Sequence, residues 1–159
     1  MEKDEVWSLR PATSEDLETL AVIEGRTHPA PWTLEHFQEE LAKPHSRILI
    51  LTDDETDSLI AGYIVFWMMA DSAEILNVVV DLPYRGRGLA KRLVEQVKRE
   101  AIQDLMRRVI LDVRVTNTAA VHLYQQLRFG IRSVRKRFYS NGEDAYEMEL
   151  LLEGSVVDF

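Results

Sequence analysis

The stretch that most constrains this chain is Asn77-Val78-Val79-Val80-Asp81-Leu82-Pro83-Tyr84-Arg85-Gly86-Arg87-Gly88-Leu89-Ala90. An apolar, β-branched run ends in a Pro turn. Two glycines follow, and the chain then opens into an amphipathic helix. The first N–H groups of a helix have no partner inside it, and the helix dipole adds partial positive charge there. Glycine lets a ligand approach that backbone. Arg85, Arg87, Lys91 and Arg92 add cations around the same turn. The stretch therefore predicts a strand, an anion-holding loop and a helix in succession. It lacks the Gly-Lys-Ser/Thr of a nucleotide phosphate loop and the three glycines of a dinucleotide fingerprint.

Periodicity extends this into a fold. A strand is expected over Val6–Ala12, then a helix opening at Thr13-Ser14-Glu15-Asp16 and broken by Pro29 and Pro31. Thr33 can cap a second helix carrying Leu34, Phe37 and Leu41 on one side. Strands follow over Ile48–Thr52 and Leu59–Met69, flanking an acidic Asp53–Asp57 turn, and then over Glu74–Val80. A helix runs from about Gly88 to Ile102, and a strand over Val109–Val115. Asn117 caps a further helix, and strands near Arg132–Tyr139 and Ala145–Leu152 close the chain around a Ser140–Glu143 turn. Hairpins and a strand–helix–strand crossover both occur, so the class is α/β with a mixed sheet. With 159 residues and no repeat or linker, a single domain over 1–159 is expected.

Composition narrows the function. There is no cysteine, which removes disulfides, thiolate metal sites and cysteine nucleophiles, and suits a reducing cytoplasm. The four histidines, His28, His36, His45 and His122, show no ligand spacing, so no metal is expected. The first ten residues lack a signal-peptide core, and the longest apolar run, Ala61–Ala70, is too short to span a bilayer. A net charge of −8 argues against nucleic-acid binding and suits a basic peptide substrate. Arg132, Arg135, Lys136 and Arg137 form the one basic cluster, read as a solvated strand face.

Arg85-Gly86-Arg87-Gly88-Leu89-Ala90 resembles the Gln/Arg-x-x-Gly-x-Gly/Ala signature of the GCN5-related N-acetyltransferase (GNAT) superfamily, with Arg85, Gly88 and Ala90 at its defined positions. Downstream, Leu111–Ala120 and Leu123–Gly130, with Pro31-Trp32-Thr33 and Arg137-Phe138-Tyr139, resemble the ribosomal-protein alanine N-acetyltransferase branch (RimI-type). The resemblance implies a mostly antiparallel sheet with a splayed central parallel pair, formed here by the Glu74–Val80 and Val109–Val115 strands. It also implies acetyl-CoA as cosubstrate. Val78, Val79, Val80, Arg85, Gly86, Arg87, Gly88, Leu89, Ala90, Lys91, Asn117 and Tyr124 would bind that cosubstrate, and Tyr124 would protonate the leaving thiolate. The acceptor it implies is a protein N-terminal α-amine, that of an alanine in a small-subunit ribosomal protein. A small amine or another protein amine is the alternative acceptor. A non-catalytic CoA-binding module is the alternative of another class. A cytoplasmic monomer without membrane or direct nucleic-acid partners is expected.

Two departures stand out. Asp112 occupies a position where the branch usually has Glu as proton acceptor, one methylene shorter in reach. Arg128 stands where its Leu-Gly-Phe segment has Gly. An α-amine of pKa about 8 is roughly one-tenth neutral at pH 7, against about one in a few thousand for a lysine. A weak or water-relayed base thus suits an N-terminal amine better. Asp112 competes for that role with Glu74, and its alternative is a silent pair with Arg114. Trp32, Phe37 and Tyr139 are candidates for the acceptor groove, or simply packing residues.

Overall fold

The computed structural model describes residues 7–53 and 56–152. Seven strands and four helices follow in the order β1 (Trp7–Pro11), α1 (Leu17–Thr27), α2 (Leu34–Ala42), β2 (Ser46–Asp53), β3 (Ile60–Met69), β4 (Ser72–Val80), α3 (Leu89–Gln103), β5 (Arg108–Arg114), α4 (Thr118–Gln126), β6 (Gly130–Arg135) and β7 (Ala145–Leu151). The strand order is β1-β2-β3-β4-β5-β7-β6. β1–β2, β5–β7 and β6–β7 pair antiparallel, and β4–β5 pair parallel. The parallel ladder covers only Ser72–Ile75 against Arg108–Leu111, although β4 runs on to Val80 and β5 to Arg114. The expected α/β class and interrupted parallel pair are both present. Two compact units are distinguished, residues 1–66 with 77–94 and residues 67–76 with 95–159.

In the first unit, β2 and β3 are apolar on both faces, as strands covered on both sides must be. Gly62 on β3 is needed for its size. A Cβ there would lie 2.6 Å from the Val79 carbonyl oxygen. Thr33 caps α2 as expected, accepting from the His36 N–H at 3.1 Å. A short 3-10 turn over Ser14–Asp16 precedes α1, and the Asp16 carboxylate accepts from the Thr13 N–H at 2.7 Å. In the Asp53–Asp57 turn, Asp53 is held down to about 2 by the Thr56 hydroxyl and the Leu59 and Thr56 N–H groups. Val6, Asp54 and Glu55 of the expected elements lie outside the described residues.

In the second unit, α3 and α4 end in the same way. After α4, Arg128 takes φ +77°, its N–H donates to the Gln125 carbonyl at 3.0 Å, and the Phe129 N–H donates to the Tyr124 carbonyl at 2.9 Å. The Phe129 ring then meets the Tyr124 ring edge-on, 5.6 Å between centroids. This is a Schellman stop with its customary apolar contact, carrying Arg where glycine is usual. Leu105 (φ +61°) ends α3 likewise, with the Met106 N–H on the Ala101 carbonyl at 2.9 Å. The Arg128 stop starts β6 two residues earlier than expected. A turn with Arg137 at φ +52° ends it at Arg135, so the expected strand to Tyr139 is shortened.

Candidate active site

The glycine loop lies in the first unit. β4 ends at Val80, and Asp81 after it is almost fully buried and accepts two bonds from Arg26, at 3.0 and 2.8 Å, plus the Leu82 N–H at 2.9 Å. Arg26 holds the Asp81 carboxyl below its ordinary range. A single turn over Leu82–Tyr84 follows, and Arg85 folds back so that its Nε donates to the Val80 carbonyl at 3.0 Å. Arg85 thereby ties the loop to the strand. Gly86 and Gly88 adopt φ +81° and +76°, a region costly for residues with a Cβ, and nothing lies within 4 Å of where such an atom would sit. Leu89 opens α3 with no acidic residue in its first turn. The start of this helix keeps its positive dipole end uncompensated.

Beside the loop's strand sits a buried group that sequence reasoning passed over. Glu24 on α1 is fully buried. It accepts from the Tyr63 hydroxyl, from Asn77 Nδ2 at 2.9 Å and from the Trp32 N–H at 3.2 Å. Burial, then Glu24, pushes the Tyr63 hydroxyl far above its ordinary value. Glu24 thus pins the α1–α2 connection and β4 to α1. Its sequence signal was an acid inside an apolar helical face. Trp32 is half-buried and stacks on His36 at 4.2 Å. Phe37 is fully buried and packs edge-on against Tyr63 at 5.7 Å, so it is core and not a groove wall.

The second unit holds the candidate acid and bases. Glu74 registers with Ile110 across the parallel pair, and Asp112 with Glu147 on β7, which faces Ser133 on β6. Strand alternation puts Glu74, Asp112, Glu147 and Arg135 on one face. Arg135 bridges this acidic row, with its Nη2 2.8 Å from Glu147 and its Nε 3.1 Å from Asp112 Oδ1. The second approach is off-line, so Asp112 Oδ1 has a charge partner without a hydrogen bond. The alternative, an Asp112–Arg114 pair, does not form. Arg114 binds Glu143 at 2.8 Å and lies 3.9 Å over the Tyr139 ring, because the β6–β7 turn folds onto the end of β5. Burial raises both Glu74 and Asp112; Asp112 adds to the rise of Glu74, and Arg135 opposes that of Asp112. Glu147 is instead held down by the Ser133 hydroxyl and Arg135. Glu74 has no ion pair among the described residues.

Asn117 caps α4, its side chain accepting from the Ala120 N–H at 3.2 Å. About two helical turns later, Tyr124 is 5% exposed. Its hydroxyl, pushed up by burial and then by Tyr139, has no hydrogen-bond partner among the described residues. The basic cluster is mostly neutralised: Arg132 meets Glu149 at 3.4 Å and Lys136 meets Asp144 at 3.6 Å. Among the described residues, no three His, Asp or Glu side chains gather as metal ligands, and no helix is long and apolar enough to cross a membrane.

Residues 16–130 match the model of the acetyltransferase (GNAT) family. A Bacillus subtilis (strain 168) protein, provisionally named a ribosomal protein bS18-alanine N-acetyltransferase, is 34% identical over 136 residues, 84% of this chain and 88% of the relative. The Salmonella typhimurium ribosomal protein bS18-alanine N-acetyltransferase is 29% identical over 85% of this chain and 90% of its own. The crystal structure of the Escherichia coli ribosomal-protein-S18-alanine N-acetyltransferase matches with a TM-score of 0.83 at 27% identity, covering 97% of this chain and 100% of that one.

Proposed function

The chain belongs to the acetyltransferase (GNAT) family, and from that premise we propose that it moves the acetyl group of acetyl-CoA to a protein N-terminal α-amine, that of an alanine in a small ribosomal-subunit protein. The observation that carries the donor is the loop: two glycines at positive φ, open space around them, and an α3 start without acidic residues. This backbone suits the pyrophosphate of a coenzyme A. The acceptor rests on what the relatives are named for. The family match runs through both compact units, which supports one catalytic domain over residues 1–159. A monomer acting in the cytoplasm, without membrane or nucleic-acid partners, completes the proposal.

The bound cosubstrate supplies an activated thioester carbonyl, which the neutral amine attacks directly. The N–H groups of Gly86 to Lys91 would hold its phosphates, with Arg87 and Lys91 adding charge and Arg85 keeping the loop on Val80. Val78, Val79 and Val80 would line its acetyl end, and the Asn117 amide would reach its arm. Tyr124, protonated at neutral pH and with no hydrogen-bond partner for its hydroxyl among the described residues, fits the acid that delivers a proton to the departing sulfur. Glu74 and Asp112 can each take the amine's proton; the lack of an ion pair favours Glu74. Trp32 and Tyr139 remain candidates for acceptor contact.

The test is a steady-state assay of an alanine-initiated basic peptide against polyamines and free amino acids, with Tyr124→Phe in parallel. The peptide is expected to be the best acceptor. Tyr124→Phe should lower kcat about 100-fold or more while leaving coenzyme A affinity within about twofold. Turnover of a small amine but not the peptide rejects the acceptor. Binding of coenzyme A with no turnover of any amine rejects the enzyme.

A further inference from the structure

A cleft of about 630 Å³ lies in the second unit, lined by Lys98 and Ile102 of α3, Arg128 of the α4 stop, Ile131 and Arg132 of β6, and the end of β7 from Glu149 to Leu151. None of these residues has a part in the acetyl-transfer reading. Glu149 is already engaged by Arg108 at 2.9 Å and Arg132 at 3.4 Å. Lys98 and Arg128 have no ion pair among the described residues. In a chain of net charge −8, the cleft therefore gathers uncompensated positive charge. Its apolar lining is open as well: Ile102 is 42%, Ile131 44% and Leu151 64% exposed.

A second observation concerns Arg128 itself. It holds φ +77° at a helix stop where glycine would sit without strain. The backbone thus carries a strained residue at the point where its cation reaches the cleft. Charged residues on exposed edge strands usually serve to block sheet-to-sheet aggregation. That explains Arg132 on β6, the terminal strand of the sheet. It does not explain Lys98 or Arg128, which lie on α3 and on the α4 stop.

We propose that this cleft is a docking site for a short, extended peptide segment of a partner protein in which acidic and aliphatic residues alternate. Carboxylates of the peptide pair with Lys98 and Arg128, its aliphatic side chains cover Ile102, Ile131 and Leu151, and its backbone can run beside β6, which among the described residues pairs with β7 alone. A short peptide is favoured over RNA because a long polyanion meets the repulsion of the whole acidic surface, and offers no aliphatic groups to the apolar half of the lining.

The experiment is a fluorescence-anisotropy titration of the full-length protein with a labelled peptide alternating Asp and Val, beside an alternating Lys and Val peptide and a single-stranded RNA oligonucleotide. Saturable binding of the acidic peptide alone, weakening with added salt, is expected. Lys98→Glu and Arg128→Glu should each weaken it at least about tenfold, with acetyl transfer to the alanine-initiated peptide unchanged. Arg128→Gly separates binding from folding: peptide affinity should fall while the Tm holds or rises by about a few degrees as the backbone strain is relieved. The proposal is overturned if the acidic peptide does not saturate, if RNA binds more tightly, or if Arg128→Gly binds the peptide as well as the parent does.

Discussion

At the scale of single residues, proton bookkeeping is set by which carboxyl Arg135 reaches. Arg135 lies against Asp112 and Glu147, while Glu74, two positions back along the same face, has no ion pair among the described residues. Its carboxyl is raised by burial and by Asp112. A base with a raised value loses activity at a higher pH than an ordinary glutamate near 4.3. The acid limb of kcat/KM should therefore fall above that value. Glu74→Gln should remove the limb and most of the rate, and Asp112→Asn should move the limb downward by removing the neighbouring charge. The reverse pattern in pH–rate profiles would make Asp112 the base. Linkage gives an independent readout. A carboxyl raised in the folded state favours stability below its unfolded value, and that contribution is lost as pH rises through the folded value. Glu74→Gln should therefore gain thermal stability over the parent at pH 8 and lose that advantage near pH 4.

At the scale of elements, close approach and helix endings carry the energetics. Gly62 lets β3 lie against the Val79 carbonyl, where an added Cβ would stand 2.6 Å from backbone that cannot swing aside. Gly62→Ala should cost about 1–3 kcal/mol, the usual penalty of overpacking, measurable by denaturant unfolding. The helix stops act in the other direction. Leu105 is 78% exposed at φ +61°, so it spends strain without burying its side chain. The left-handed region costs a non-glycine residue about 1–2 kcal/mol, and glycine returns about 0.4–1 kcal/mol of that through its freer unfolded chain. Leu105→Gly should therefore stabilise the protein by about 0.5–1 kcal/mol, seen as a higher unfolding midpoint at unchanged slope. A midpoint that falls would show that the leucine makes a contact worth more than its strain.

At the scale of the molecule, the acidic surface bears on the reaction. A net charge of −8 attracts a basic acceptor over a distance set by the Debye length, about 10 Å at 0.1 M salt. KM for a basic alanine-initiated peptide should rise with salt between 0.05 and 0.5 M while kcat stays level, and KM for a neutral peptide should move much less. Equal salt responses would mean that the acceptor is held by contacts and not by the field.

Much of this was legible in the chain itself. Alternation and 3.6-residue periodicity are local properties, so the element order, the caps at Thr33 and Asn117, and the glycine loop all follow from short windows of sequence. Asp112 could be named because it stands where the resembling branch has Glu, and Glu74 because it falls near the start of the partner strand. Partners across the sheet were another matter. Asp112 meets Arg135 rather than Arg114 because β7 and β6 bring a residue from 23 positions downstream onto its face. Glu24 binds Tyr63 and Asn77 only because α1 packs there. Phe37 became core for the same reason. The sequence by itself determined what each segment is and which donor its glycine loop can hold. Only the tertiary structure decided which charges neutralise one another and which acids stay unpaired, because a Coulomb or hydrogen-bond partner is fixed by distance in space, and spacing along the chain does not encode it.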